Sequence, residues 1–271
     1  MITTRLSQTK RALLIGNINY DVAKLQRCKN DATDVCDKLK GVGFQVTTGF
    51  DLTYQKMMDL IMKFVEEIVE NDLVVFFFSG HGTEWKDENY LIPIDNQCLI
   101  DQSSRHEYHA VSAQKTLESI KEYKPFAIVF LLDCCRVRNE GAKAIPVQSN
   151  STNVTMIKGV AGSLTVFACG PNEEAFERSR NNRNSLFTYH LLEHIAKPNL
   201  KIDEMMCQVC DGVYDDSNGQ LYTYRLSTLR TSKLYFNFTE KGMSSLRNSK
   251  YRSNLNKIMS ECRSFPALIL K

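Results

Sequence analysis

Two stretches of this sequence place reactive side chains directly after long apolar runs: His81 follows residues 72–78 in FFFSGHG, and Cys134 and Cys135 follow residues 126–132 in FLLDCCR. A thiol with a pKa of about 8.5 is only a few per cent thiolate at neutral pH. An imidazole that takes its proton, and later delivers one to a leaving amine, therefore gives it work as a nucleophile. If the two runs are neighbouring strands, about 4.8 Å apart, His81 and a cysteine share one rim within reach of a single peptide bond. Glycines flank His81. Gly82 lets a substrate approach the backbone closely, and its N–H together with that of Cys135 could hold the oxyanion of a tetrahedral intermediate. Taken singly, a strand-end cysteine is as readily a small core residue and a histidine in a glycine turn a structural one. Their occurrence on equivalent strand ends favours chemistry.

The surrounding pattern supplies elements to hold them. Residues 11–16 read as a strand, 31–39 as a helix closed by Gly41, and 43–50 as a second strand. Residues 53–69 carry Met57, Leu60, Ile61, Phe64, Val65 and Ile68 at helical spacing. The runs at 72–78 and 126–132 are apolar throughout, as strands covered on both faces require. Between them come a loop through Trp85, a hairpin-like piece at 90–94 and a helix at 112–123. A strand at 164–169, helices at 185–196 and 201–213, and two β-rich pieces within 220–238 follow. This alternation predicts an α/β fold, a mostly parallel central β-sheet with helices on both faces, whose working residues gather beyond the carboxyl ends of the strands. Residues 136–162 have no sustained period and read as a mobile loop, where self-cleavage after Arg138, Lys143 or Lys158 is compatible with activity but not required for it. The domain is expected to span 1–239, with 240–271 as a polar tail or linker.

Composition narrows the class. The 271 residues are 43% hydrophobic, enough for a large core, and a net charge of +3 with interspersed signs argues against a nucleic-acid partner. No apolar run approaches the roughly 18 residues of a membrane span, and the N-terminus does not read as a secretory signal. Nine cysteines, an odd number, fit free thiols in a reducing compartment, so a cytoplasmic protein with no membrane partner is expected.

SGHG after one apolar strand and DCCR after the next resemble the caspase-like cysteine peptidases, and within them the paracaspases. ALLIGNINY at 12–20, the helix after Asn30, LIPID at 91–95, FLLDCCRVRN, NEEAFE at 172–177 and LSTLRTSKLYF at 226–236 follow in the order such a domain requires. The resemblance implies a caspase-like sandwich and a Cys-His dyad, with Cys135 as nucleophile, His81 as its partner and Cys134 pointing back into the core. It also implies a specificity. Caspases proper carry Gln two residues before the nucleophile and read aspartate with arginines, whereas Asp133 stands at that position here. The paracaspase pattern supplies three acids, which fall on Asp31, Asp133 and Glu177. Carboxylates from three segments suit the five donors of a guanidinium. The plainer readings are a helix cap for Asp31 and a solvated side chain for Glu177.

The expectation is a cysteine endopeptidase that cuts after arginine, less well after lysine, through a thioester and with no cofactor. Its partners would be protein or peptide substrates with a basic P1 residue, and it would work as a homodimer or in a recruited assembly. A catalytically weak scaffold acting through protein–protein interaction is the alternative from another class, and a metal-stabilised regulatory module a third. Cys207 and Cys210 (CQVC) lie too far in sequence from His106 and His109 to argue for zinc, and core packing is the expected role of that pair. Asp215, Asp216, Asn218 and Gly219 open like a calcium loop but lack the later acid, so they read as a turn. No metal site is assigned.

Overall fold

Every residue of Leu73–Ser79 and of Ala127–Asp133 is buried, which only the middle of a sheet covered on both faces allows. The computed structural model describes residues 9–21, 23–85, 88–95, 109–134, 157–170, 175 and 179–239. Cys135, Glu177, Arg138, Lys143, His106 and the segment 240–271 lie outside the described residues, as does most of the expected 136–162 loop.

In chain order the elements are β1 (Lys10–Gly16), α1 (Cys28–Gly41), β2 (Gln45–Phe50), α2 (Tyr54–Glu66), β3 (Leu73–Ser79), β4 (Gly82–Trp85) and β5 (Glu88–Leu91). There follow β6 (Val111–Ser112), α3 (Ala113–Glu122), β7 (Ala127–Asp133), β8 (Ser163–Phe167), α4 (Leu186–His194), α5 (Ile202–Asp216) and β9 (Tyr224–Ser227). The main sheet runs β2-β1-β3-β7-β8-β9, parallel except for β9, which pairs antiparallel with β8. This is the mostly parallel α/β architecture expected.

Alternation along the central strands divides the core in two. Val75, Phe77, Val129 and Leu131 join the residues of α1, α4 and α5 on one face. Val74, Phe76, Phe78, Ile128, Phe130 and Leu132 join those of α2 and α3 on the other, where the Phe76 and Phe130 rings stack at 4.5 Å. Serines start two helices: Ser112 Oγ accepts from the Lys115 N–H (3.1 Å) and Ser185 Oγ from the Thr188 N–H (3.0 Å), each satisfying an orphan donor of a first turn. At the end of β1 a Cβ on Gly16 would lie 2.4 Å from the Cys28 carbonyl, so glycine lets α1 start against the strand tip.

One expectation is corrected. The segment through Trp85 is not a loop: β4 pairs with β5, and β5 with β6, in a small antiparallel sheet beyond the rim of the main one. The strand character of GTEW comes from pairing with β5 rather than from an apolar pattern of its own.

Candidate active site

The register of β3 against β7 sets Ser79 opposite Asp133 at the carboxyl ends of both strands. Asp31 reaches the same place from the first turn of α1. It does not cap that helix: its carboxylate accepts from Ser79 Oγ (3.1 Å) and from the Ser185 N–H (3.0 Å). Asp133 accepts from Thr188 Oγ1 (2.6 Å) and from Ser185 Oγ. The two acids are 1% and 4% exposed, and among the described residues no lysine or arginine forms an ion pair with either. Burial pushes Asp31 up to about 8, with Asp133 adding repulsion, and burial raises Asp133 to about 6 against the pull of its two hydroxyl donors. At neutral pH the pair therefore holds on to a proton that separate surface aspartates would have lost.

His81 is placed by the turn that leaves β3. The Gly80 N–H donates to the Asp133 carbonyl (3.3 Å), and a Cβ on Gly80 would sit 2.6 Å from Tyr20 Oη, so glycine admits the tyrosine. Tyr20 is fully buried. Its hydroxyl accepts from the His81 N–H (3.0 Å) and donates to the Ile92 carbonyl (2.9 Å), while the Ile92 N–H donates to the His81 carbonyl (3.0 Å). The phenol thus stands in for one bond of the antiparallel ladder and tilts its ring against the imidazole, centroids 4.5 Å apart. Gly82 follows at the next pair, opposite Leu91, where the alternation turns its N–H away from β5.

The imidazole is fixed at its other end by Ala23, whose carbonyl lies 2.6 Å from Nε2. A carbonyl can only accept, which assigns the proton to Nε2 and leaves Nδ1 as the acceptor. Ala23 itself has φ 56°, the left-handed region that a residue with a Cβ enters at a cost of about 1 kcal/mol.

Asp31, Asp133 and His81 line one cavity of about 40 Å³, together with Ser185, Ala175 and Cys134. Cys134 is 4% exposed and packs with Phe78, Leu132 and Phe167, and its carbonyl accepts weakly from Cys169 Sγ (3.4 Å). Of the acids singled out in the sequence, the structure brings Asp31 and Asp133 together, with His81 beside them. Cys135 and Glu177 lie outside the described residues. Sequence reasoning missed Tyr20, Ala23, Ser79, Ser185 and Thr188 as positioning groups. The one available signal was the Asn-Ser pair at 184–185 opening an apolar helical run, a cap signature.

The CQVC pair is not core-packed as expected: Cys207 is exposed and Cys210 half-buried, because both look out toward residues 223–225 instead of into the sheet. Among the described residues no group of three or more His, Cys, Asp or Glu side chains could hold a metal, and no helix is long and apolar enough to cross a membrane.

Human mucosa-associated lymphoid tissue lymphoma translocation protein 1 is 28% identical over 213 residues, 78% of this chain and 24% of that protein, and its mouse homologue is 27% identical over the same span. Metacaspase-2 of Trypanosoma brucei brucei is 29% identical over 154 residues, 47% of this chain and 41% of that protein. The chain thus spans about a quarter of the length of the first two relatives. A family model described as the Caspase domain matches residues 9–235, from the start of β1 to beyond β9, and this chain belongs to that family of caspase-like cysteine peptidases.

Proposed function

We propose that the chain is a cysteine endopeptidase that cuts after arginine, with Cys135 as nucleophile and His81 as its proton carrier. The observation that carries this reading is that Asp31, Asp133 and His81 line a single cavity, at the rim where the chain passes through Cys134 into Cys135. The substrate binds extended and its P1 guanidinium displaces the proton that the aspartate pair retains. Glu177, two residues beyond the cavity-lining Ala175, supplies a third carboxylate. A volume of about 40 Å³ has room for two or three waters, so the arginine parts the lining as it enters.

Cys135 Sγ passes its proton to His81 Nδ1 and attacks the scissile carbonyl carbon, forming the C–S bond. The N–H groups of Gly82 and Cys135 hold the resulting oxyanion. Nδ1 returns the proton to the leaving amine as the C–N bond breaks. A water then gives its proton to Nδ1 and attacks the thioester, releasing the acid and the thiol. Throughout, the Ala23 carbonyl keeps the Nε2 proton in place and stabilises the imidazolium. Lysine binds less well because a compact ammonium cannot engage the carboxylates as a planar fork, and aspartate meets like charge in a buried site.

Fluorogenic peptides that differ only at P1, used with an arginyl acyloxymethyl ketone mapped by mass spectrometry, test this. Arginine should exceed lysine by roughly tenfold or more, aspartate should not be cut, and the label should sit on Cys135. Cutting after aspartate would discard the acidic pocket. A folded protein that neither cuts nor takes the label at Cys135 would be a scaffold.

A further inference from the structure

Of the cysteines described, Cys28, Cys36, Cys134 and Cys169 are buried, whereas Cys207 is exposed and Cys210 half-buried on the same turn of α5. In a regular helix, Cα atoms three residues apart are about 5 Å from one another, on one face. That separation falls inside the range of roughly 4.4–6.8 Å a disulfide spans, while the Cβ atoms, about 5–6 Å apart on a regular turn, must close to about 4.5 Å, so the bond forms with a local tightening of α5. Both thiols meet the same facing segment. Arg225 Nη1 donates to Cys207 Sγ at 3.3 Å, and Cys210 bonds the side chain of Thr223.

We propose that Cys207 and Cys210, held against Arg225, form an oxidisable dithiol that hydrogen peroxide converts into a disulfide within α5. The Arg225 guanidinium holds the Cys207 sulfur in place, and the carboxylates of Asp203 and Asp211 stand one turn to either side of it along α5. Cys207 is the sulfur that peroxide reaches. Its attack on one peroxide oxygen forms the S–O bond and breaks O–O, and the departing hydroxide takes up the thiol's proton to leave as water. Cys210, half-buried three residues along the same face, resolves the sulfenic acid. Its sulfur forms the S–S bond as S–O breaks, and its proton leaves with the hydroxide as a second water. Two thiols lose two electrons and one peroxide becomes two waters. The buried cysteines share no such access, and a divalent cation on this pair would face Arg225 at close range. Oxidation removes the acceptor of Arg225 and frees that charge on β9, the outer strand of the main sheet.

The test uses the full chain, reduced, then exposed to near-stoichiometric peroxide, alkylated and digested with trypsin. The peptide ending at Arg225 contains both cysteines and should appear two hydrogens lighter, with neither thiol alkylated. In Cys210→Ser the intermediate should be trapped by dimedone at Cys207. Arg225→Gln should slow that trapping roughly five- to tenfold and Arg225→Lys should restore part of the rate. Trapping at Cys207 that proceeds no faster than in urea-unfolded chain, or that ignores Arg225→Gln, overturns the proposal, as does a disulfide found only between chains. None of these readouts needs peptidase activity, so they stand apart from the outcome at Cys135.

Discussion

The two ends of β3 treat buried aspartate in opposite ways. Asp72, just before the strand, is 3% exposed and meets the Arg11 guanidinium at 2.7 Å, while its second role is to accept from the Val69 N–H at 3.0 Å. At the far end Asp31 and Asp133 are as deeply buried, yet their donors are hydroxyls and an amide, all neutral. Burying a carboxylate without a cation costs several kcal/mol unless it takes up a proton. One end of the sheet has its counter-ion built in and serves folding. The other holds its two carboxyls without an ion pair among the described residues, and burial raises the pKa of both; under the proposed function these are the acids that receive a P1 guanidinium.

The sharpest way to break this contrast is to neutralise each end in turn. Asp133→Asn should lower kcat/KM for arginyl peptides by about a hundredfold or more, with no loss of melting temperature. Asp72→Asn should leave the P1 preference unchanged and cost about 1–3 kcal/mol in urea unfolding, discounted because Arg11 is partly exposed. If Asp72→Asn altered specificity equally, the division of labour would be wrong.

The next effect is on stability against pH. A carboxyl whose folded pKa lies above its unfolded value favours folding at low pH, and that contribution is lost as pH rises from the unfolded value of about 3.9 through the folded one. For Asp133 and then Asp31 the loss runs up to about 6 and about 8. Wild-type melting temperature should therefore fall between pH 4 and 8, and Asp31→Asn should flatten the fall, gaining roughly 3–8 °C at pH 8 and little at pH 4. An equal gain at both pH values would remove the carboxyl as its cause. A guanidinium ligand such as agmatine should act in the same sense, raising the melting temperature more at pH 8 than at pH 6. Calorimetry in buffers of different ionisation enthalpy should show proton release on binding.

The smallest effect concerns His81. Tyr20→Phe removes the acceptor of the His81 N–H and should lower kcat about tenfold, with KM for arginyl peptides nearly unchanged. A change in KM alone would place Tyr20 with the acids instead.

How much of this was legible beforehand follows from the range of each interaction. The central strands announced themselves because each residue of β3 and β7 is buried, so the apolar run is continuous. The helix expected from Asp31 begins at Cys28, since its N-cap Arg27 makes no side-chain cap bond and leaves no mark in the sequence. Strand β4 stayed hidden because its partner makes it a strand. Asp31, Asp133 and His81 were found through motifs, whereas Ser185 was not singled out, because its bonds to Asp31 and Asp133 join residues 154 and 52 apart along the chain. For CQVC the spacing predicted a shared face, which is correct, but period alone does not say whether that face looks inward.

Ser185 also sets a timetable. In the chain β1, α1, β3 and β7 all precede residue 185, so without α4 Asp31 and Asp133 would lack three of the donors that satisfy them: the Ser185 amide and the hydroxyls of Ser185 and Thr188. Closing the rim over two such carboxyls at neutral pH is unfavourable, and long-range contacts of this kind form late in folding. The pocket is thus finished only when α4 docks. The acid-lined cavity is completed from late in the sequence, by the start of a helix that follows β1, β2, β3, β7 and β8, five of the six strands of the main sheet, in the chain.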